Sequence, residues 1–219
     1  MKLFSFFAKI LDYVYWRKCY ICSKKCSEIS LCNNCIEEMY SNLKFHKAMK
    51  FKTIIYCGAP YENIFLKIIR ALKYHQKSEF KSILSTILIK TAEHYELNLC
   101  DFVVCPVPIH KNRLKKRKYN HMELVAEEFA KHYNLEVDNT LLMRKKDTPP
   151  MYKLTINERK KQLDGAFGAS EKIQGKKILL LDDIVTSGNT ISELTKLIFE
   201  QNPKEVIVMC ATRSNNCNF

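Results

Sequence analysis

The segment ILLLDDIVTSGNT, residues 178–190, joins four apolar residues to two adjacent carboxylates and a short run of hydroxyl and glycine residues. An uninterrupted apolar run of this kind is typical of a strand that is buried on both faces of a parallel sheet. The residues that follow, TISELTKLIFEQ, predict a helix. In such sheets ligands bind at the carboxyl ends of the strands, and Asp182 and Asp183 are expected at such an end.

The turn after the two carboxylates predicts a binding site for a phosphate group. A glycine in the turn permits a positive φ angle or a close approach of the backbone. Backbone N–H groups at the start of a helix, together with hydroxyl groups, cradle a phosphate. The carboxylates are then placed for sugar hydroxyls or a divalent cation. The alternative is an ordinary strand, turn and helix with a solvated aspartate pair. The predicted cradle consists of Thr186, Ser187, Gly188, Asn189 and Thr190.

The rest of the chain predicts an α/β fold, a parallel sheet flanked by helices. From about residue 100 onward, short apolar runs alternate with amphipathic segments, as in a sheet that helices cover on both faces. One helix is expected to begin near Asn120, and an earlier one to have Ser78 as its N-cap. The predicted strands are 52–62, 101–108, 176–181 and 205–210, and the predicted helices are 35–46, 61–76, 78–95, 121–134 and 190–201.

Four of the ten cysteines predict a metal site. Two Cys-x2-Cys pairs bring four thiolates around one tetrahedral zinc ion when each pair lies on a short turn. A merely buried, inert cysteine-rich segment is the alternative, and Cys26 is a competing ligand that has no Cys-x2-Cys partner. The remaining cysteines are interpreted as small hydrophobic residues. The expected zinc ligands are Cys19, Cys22, Cys32 and Cys35.

The first sixteen residues, MKLFSFFAKILDYVYW, are interpreted as an amphipathic helix that packs on the protein, with attachment to a membrane surface as the alternative. Lys9 interrupts the apolar run early and no small-residue cleavage site follows, so a secretion signal is not expected. No run is long enough to span a bilayer. The sequence therefore predicts a cytoplasmic protein with reduced thiols. Residues 1–50 are expected to form a helix and zinc-finger subdomain, and residues 51–219 the α/β domain.

The formal net charge of +13 favours anionic partners. Positive charge is concentrated in HKNRLKKRK, residues 110–118, which follows a predicted strand and is interpreted as a loop. The alternative is a solvated charged loop that has no binding role. The loop is expected to bind phosphate groups, or single-stranded nucleic acid with Tyr74, Tyr119 and Tyr152 as stacking platforms. The residues assigned to this role are Arg113, Lys115, Lys116, Arg117, Tyr119 and Asn120.

Residues 178–190 resemble the signature with which phosphoribosyltransferases bind phosphoribosyl pyrophosphate (PRPP): an apolar strand, two acidic residues, a loop rich in threonine and glycine, and a closing threonine. The resemblance implies that residues 186–190 hold the 5-phosphate and that the basic loop holds the pyrophosphate. It also implies that Asp182 and Asp183 are the catalytic pair and contact the ribose 2- and 3-hydroxyls, directly or through magnesium. Both charges are expected to face the ligand, so that replacing both by asparagine leaves the fold intact.

A wider resemblance covers residues 16–213 and points to the ComF (ComFC) proteins associated with bacterial natural competence. It implies a type I phosphoribosyltransferase-like fold, a part in DNA uptake with other competence proteins, and ligand-facing positions at Lys73 and Arg159. Its elements are Cys19 to Cys35, Leu72-Lys73-Tyr74, Pro106-Val107-Pro108, Arg117 to Asn120, Glu158-Arg159 and Ala166-Phe167. The chain departs from the family at Lys118, usually glycine, at His121 and Met151, usually glutamine, and at Gln162, usually asparagine.

Two functions are consistent with these observations. The first is a magnesium-dependent enzyme that displaces pyrophosphate from PRPP onto an acceptor that the sequence does not identify. The second is a non-catalytic module that senses PRPP or binds single-stranded DNA on the same fold. His75, His110 and His121 are the histidines nearest these motifs, and none of them is predicted as the general base.

Overall fold

The computed structural model describes residues 17–26, 30–147, 163–215 and 217. Four predictions lie outside these residues: the helix over residues 1–16, the stacking role of Tyr152, the ligand-facing Arg159, and the departures at Met151 and Gln162. The chain divides into two compact units, residues 1–42 and 43–219. None of the helices that the structure describes has the length and apolar character needed to cross a bilayer.

The first unit is built around the cysteine pairs. Strands β1 (Arg17–Lys18) and β2 (Lys25–Cys26) pair antiparallel, and helix α1 (Asn33–Ser41) follows. Among the described residues of this unit, the buried apolar side chains are Cys19, Leu31, Cys35 and Met39.

The second unit contains a six-stranded sheet. Its order is β3-β4-β10-β9-β5-β6, in which β3 pairs antiparallel and every other pairing is parallel. The sequence analysis assigned residues 46–50 to the first domain and expected a helix up to residue 46; β3 instead pairs with β4 in this sheet. The strands are β3 (His46–Lys50), β4 (Thr53–Pro60), β5 (Phe102–Pro106), β6 (Glu136–Val137), β9 (Lys177–Val185) and β10 (Glu205–Arg213).

Helices cover both faces of the sheet, as the sequence predicted. One face carries α3 and α5, which pack on each other and on the central strands. The other face carries α6 and a separate antiparallel pair, β7 with β8, which share one apolar core with β9. These elements are α2 (Asn63–Tyr74), α3 (Lys81–His94), α4 (Lys111–Arg117), α5 (His121–Tyr133), α6 (Asn189–Glu200), β7 (Leu142–Arg144) and β8 (Phe167–Ala169), with 3-10 turns at Ser78–Phe80 and Glu171–Ile173.

Several local predictions are corrected. Strand β9 continues through Asp182 and Asp183 to Val185, so the carboxylates lie within the strand and not beyond it. Ser78 begins a 3-10 turn, and neither the turn nor α3 has a side-chain N-cap. Asn120 is the N-cap of α5, as predicted, and its side chain accepts a hydrogen bond from the Met122 N–H.

The basic segment is a helix, α4, and not a loop. It ends at Lys118, whose backbone lies in the left-handed region with φ 68°. This conformation is costly for every residue that has a Cβ atom, and glycine adopts it without that cost. The backbone angle therefore explains the glycine that ComF-like sequences carry at this position.

Replacing Lys118 by glycine is expected to stabilise the protein by about 1 kcal/mol, because the left-handed backbone strain disappears. The measurement is the free energy of unfolding in urea. The matched control is Lys115→Gly, the same chemical change within α4, which should destabilise by about 1 kcal/mol because glycine is a poor helix former. Equal effects of both variants would contradict the argument.

Candidate ligand-binding site

A cavity of about 810 Å³ opens where β5 and β9 end in the second unit. The end of helix α2, helix α4, the start of α5, and strand β7 contribute its other walls. The location agrees with the rule that open α/β sheets bind ligands at the carboxyl ends of their strands. The residues predicted as site residues that line it are Lys73, Arg113, Lys116, Arg117, Tyr119, Asp182, Asp183, Thr186 and Thr190.

The two adjacent carboxylates have different environments. Successive side chains of a strand point to opposite faces, so Asp182 and Asp183 belong to different layers of the sheet. Asp183 is 2% exposed, and its Oδ2 lies 2.5 Å from both Lys73 Nζ and His121 Nε2. Asp182 Oδ1 accepts a hydrogen bond of 2.8 Å from the Asp183 N–H. The sequence analysis expected both charges to face a ligand, whereas Asp183 is held by two protein side chains.

The pKa values of the pair move in opposite directions. Burial raises the pKa of Asp182 to about 7, and the negative charge of Asp183 adds to the effect. Burial also opposes ionisation of Asp183, but the Lys73 ammonium and the hydrogen-bonded His121 outweigh it and hold the pKa of Asp183 well below its usual range. At neutral pH, Asp183 is therefore the ionised member, and Asp182 gains and loses its proton near neutrality.

The two partners of Asp183 differ in charge. Burial opposes the Lys73 ammonium, yet its attraction to Asp183 raises the pKa of Lys73 above the ordinary value. Burial lowers the pKa of His121 despite the same carboxylate. His121 is therefore neutral near pH 7 and donates from Nε2. Its Nδ1 is buried and has no hydrogen-bond partner within the described part of the chain.

The phosphate loop has the geometry that the sequence predicted at its glycine. Gly188 has φ 73° and is the N-cap of α6. The side chains of Thr186 and Thr190 line the cavity on either side of this turn. Ser187 and Asn189 form the turn itself and are not among the residues that line the cavity.

Helix α4 directs part of its charge into the cavity. Arg113, Lys116 and Arg117 lie three and four residues apart, which places them on one helical face, and all three line the cavity. Lys115 belongs to another face and does not. None of the seven residues of α4 is buried. The helix is fastened near its start, where Asn112 Nδ2 donates to Asp147 Oδ2 at 2.7 Å.

The aromatic residues near the basic helix have separate roles. The Arg117 guanidinium lies 5.2 Å from the ring centroid of Tyr74, which is 64% exposed. The Tyr119 hydroxyl donates to the Leu72 carbonyl at 2.9 Å. Asn120 is 1% exposed, and its amide donates to the Val107 carbonyl, so this residue supports the backbone and does not line the cavity.

Two residues with a role in the charge arrangement of the cavity were not predicted as site residues. His121 was noted as a departure from the family and was rejected as the general base, and the signal that could have identified it is its position directly after the N-cap of α5. Arg144 lies on the three-residue strand β7, which gives no sequence signal. Burial lowers the pKa of Arg144 to about 10, and the nearby Arg113 charge adds to this effect. Arg144 is therefore a third guanidinium that lines the cavity, beside Arg113 and Arg117.

The four predicted zinc ligands come together in the first unit. The Sγ atoms of Cys19, Cys22, Cys32 and Cys35 all lie within 4.8 Å of one another. Those of Cys22 and Cys32 are 3.6 Å apart, close to the edge of about 3.8 Å that Zn–S bonds of 2.3 Å give a tetrahedron. Among the described residues Cys26 is not part of the group. The donor set fits a structural metal such as zinc, with every position filled by protein.

Magnesium fits the cavity through one carboxylate. Mg²⁺ is usually held by one or two carboxylates together with substrate phosphates and water. Oδ2 of Asp183 is already shared by two side chains. Asp182, which lines the cavity, is the carboxylate that fits such an ion.

Residues 123–218 match the phosphoribosyl transferase domain family. Together with the sheet order and the position of the cavity, this match defines the class: the chain is a phosphoribosyltransferase-like protein. Within that class its sequence is similar to curated proteins named DNA utilization protein and Competence protein F, in agreement with the ComF resemblance.

Two curated relatives and one solved structure illustrate the match. DNA utilization protein YhgH of Escherichia coli K12 is 26% identical over 91% of this chain and 92% of its own length. Competence protein F of Haemophilus influenzae is 25% identical over 55% of this chain and 53% of its own length. Glutamine PRPP amidotransferase of B. subtilis matches partially, with a TM-score of 0.44 and 13% identity over 65% of this chain and 30% of that one.

Proposed function

We propose that the cavity binds PRPP together with magnesium. The observation that carries the proposal is the arrangement of charge around one cavity. The same cavity is lined by Asp182 and two threonines of the β9–α6 turn, and by three cationic residues of α4 together with Arg144. PRPP carries a 5-phosphate, a pair of sugar hydroxyls and a pyrophosphate, so it offers a group to each of these sets of side chains.

Each part of the cavity has a proposed role. The turn from Thr186 to Thr190, at the start of α6, holds the 5-phosphate through backbone N–H groups and hydroxyls. Asp182 accepts a hydrogen bond from a sugar hydroxyl. The cationic residues that take the pyrophosphate are Arg113, Lys116, Arg117 and Arg144, since guanidinium and ammonium groups bind such oxygens by charge-assisted hydrogen bonds.

Phosphoribosyl transfer is the reaction that such a site supports. The bond from C1 of the ribose to a pyrophosphate oxygen breaks, an atom of the acceptor bonds to C1, and the acceptor gives up a proton. The arginines and lysines stabilise the negative charge that develops on the leaving pyrophosphate, and the carboxylates stabilise positive charge on the sugar ring. Bound magnesium would neutralise pyrophosphate charge beside Asp182.

A second candidate function is binding of single-stranded DNA during uptake and processing, in the cytoplasm and with other competence proteins as partners. The exposed ring of Tyr74 beside Arg117, next to a helix with five basic residues and Lys118 as its C-cap, combines a stacking surface with phosphate-binding charge. The names of the relatives, DNA utilization protein and Competence protein F, support this candidate. The zinc unit is proposed to be structural.

Two measurements test the main proposal. Titration calorimetry with PRPP, with and without magnesium, should show magnesium-dependent binding at one site per chain. Release of pyrophosphate from PRPP is then measured with candidate acceptors, including nucleobases and single-stranded DNA. Absence of PRPP binding under both conditions would contradict the proposal, and binding without pyrophosphate release would favour the non-catalytic module.

Charge removal on α4 separates the two candidate functions. The variant Lys116→Gln with Arg117→Gln removes two charges that line the cavity, and its PRPP affinity should fall about tenfold or more. Ribose 5-phosphate, which has no pyrophosphate, should bind nearly as before. If the helix also binds DNA, single-stranded DNA affinity should fall and its salt dependence should flatten, because fewer counterions are released.

The matched control is Lys111→Gln with Lys115→Gln, which removes two charges from the same helix outside the cavity. Its PRPP affinity should equal that of the parent protein, while its DNA affinity should fall like that of the first variant. An equal loss of PRPP affinity in both variants would show that α4 acts through its overall positive charge and not through contacts of Lys116 and Arg117 with the pyrophosphate.

A further inference from the structure

The Lys73–Asp183 ion pair joins helix α2 to strand β9 at the cavity. Lys73 comes from the last turn of α2 and Asp183 from near the carboxyl end of β9, and the Lys73 side chain is 19% exposed. Both residues line the cavity. The ion pair therefore borders the space that is proposed to hold the sugar phosphate.

Asp183 is consequently engaged before any ligand arrives. Its Oδ2 accepts from Lys73 and from His121, each at 2.5 Å. A ribose hydroxyl that approaches this carboxylate competes with the ammonium for it. Binding of a sugar at this position therefore carries the cost of breaking a largely buried ion pair, unless the displaced ammonium finds another anion.

We propose that Lys73 is a specificity-determining residue that makes the cavity prefer ribose phosphates carrying a second anionic group at C1. A pyrophosphate at C1 offers the displaced ammonium a new partner, whereas ribose 5-phosphate offers none. The long flexible stem of lysine allows the same charge to serve both partners in turn. This inference rests on the proposed PRPP binding, and it adds a reason why the cavity would bind ribose 5-phosphate more weakly than PRPP.

His121 keeps the Asp183 carboxylate hydrogen-bonded when Lys73 changes partner. It is 3% exposed, begins α5, and keeps its own hydrogen bond to Asp183 when the ammonium leaves. The Thr212 hydroxyl fixes the same strand position through a 2.9 Å bond to the Asp183 carbonyl. His121 therefore holds the carboxylate and Thr212 holds the backbone of Asp183, and neither residue needs to move.

The first test uses the unaltered protein and two small ligands. If pyrophosphate draws Lys73 away from Asp183, saturating pyrophosphate should strengthen ribose 5-phosphate binding several-fold at constant magnesium, and ribose 5-phosphate should strengthen pyrophosphate binding by the same factor. Direct repulsion between the two anions acts in the opposite direction, so it cannot produce this result. Independent or antagonistic binding would overturn the proposal.

The second test compares two lysines of helix α2. Lys73→Gln retains a hydrogen-bond donor for Asp183 without the charge, and it should lower PRPP affinity about tenfold or more. Its ribose 5-phosphate affinity should stay the same or rise, and the cooperative effect of pyrophosphate should disappear. Lys67→Gln removes the same charge from an exposed position of α2 outside the cavity and should behave like the parent protein.

These outcomes separate the inference from the proposed function. A parent protein that does not bind PRPP contradicts the proposed function itself. A parent that binds PRPP, combined with a Lys73→Gln variant that weakens PRPP and ribose 5-phosphate equally, overturns only the role of Lys73. If Lys73→Gln does not fold, the experiment on the parent protein with pyrophosphate decides the question alone.

Discussion

Replacing Asp183 by asparagine is expected to destabilise the protein by about 3 kcal/mol, because one partner of a buried ion pair is removed and the other is left. Lys73 loses its carboxylate and His121 loses the acceptor of its Nε2 proton. PRPP binding should disappear as well. The free energy of unfolding in urea and calorimetry with PRPP measure the two effects.

Replacing the neighbouring Asp182 is expected to change stability in the opposite direction. Its pKa is raised from 3.8 to about 7, so the folded protein holds a proton there that the unfolded chain releases. The parent protein should therefore lose stability as the pH rises between these two values. Asp182→Asn removes this loss and should stabilise by about 1 kcal/mol or more at pH 8, while weakening PRPP binding through loss of the proposed sugar contact.

The comparison of Asp182→Asn with Asp183→Asn tests whether the two side chains have different environments. Both exchange an aspartate for an asparagine of the same shape, one residue apart on the same strand. Equal destabilisation by both substitutions would contradict the different environments described for the two side chains. The same would follow if the free energy of unfolding of Asp182→Asn had the pH dependence of the parent protein.

Replacing Cys32 by serine is expected to release the bound zinc and to unfold the unit formed by residues 1–42. Structural zinc contributes an apparent binding free energy on the order of 10 kcal/mol, and a unit as short as residues 1–42 usually needs a metal, disulfides or association with another chain in order to fold. Metal analysis should show close to one zinc per chain in the parent protein and well under one in the variant. Proteolysis should then cut between β1 and α1.

Two cysteines provide the controls for the metal experiment. Cys26→Ser changes a thiol of the same segment that is not part of the four-thiol group, and Cys100→Ser changes an exposed thiol of the second unit. Both variants should retain zinc. Purified parent protein with little zinc and four freely reactive thiols would show that the cysteines do not form a metal site.

The sequence predicted the parts of the fold that depend on local patterns. The apolar run of β9, the glycine of the turn before α6 and the spacing of the four cysteines each express a short-range requirement, and each was identified correctly. The strand was predicted only up to Leu181. Extending it by two residues and applying the alternation of side chains along a strand would have predicted opposite directions for Asp182 and Asp183.

Other features depend on contacts between distant segments and gave no local signal. Strand β3 is defined by its pairing with β4, and β7 by its pairing with β8. The basic segment reads as a loop because none of its side chains is buried, so helical periodicity of apolar residues is missing. Arg144 lines the cavity because the β7–β8 pair packs on the sheet, a contact between segments that are distant in the sequence.

The two-residue period of β9 has a consequence for how such a protein changes over generations. Asp182 points into the layer that α6 covers, and Asp183 into the layer that begins with His121. Substitutions that accumulate under one face of the sheet therefore adjust one carboxylate and spare its neighbour. A lineage can alter what the cavity accepts without disturbing the charge cluster that anchors it, which allows one scaffold to acquire new ligands in small, separately tolerated steps.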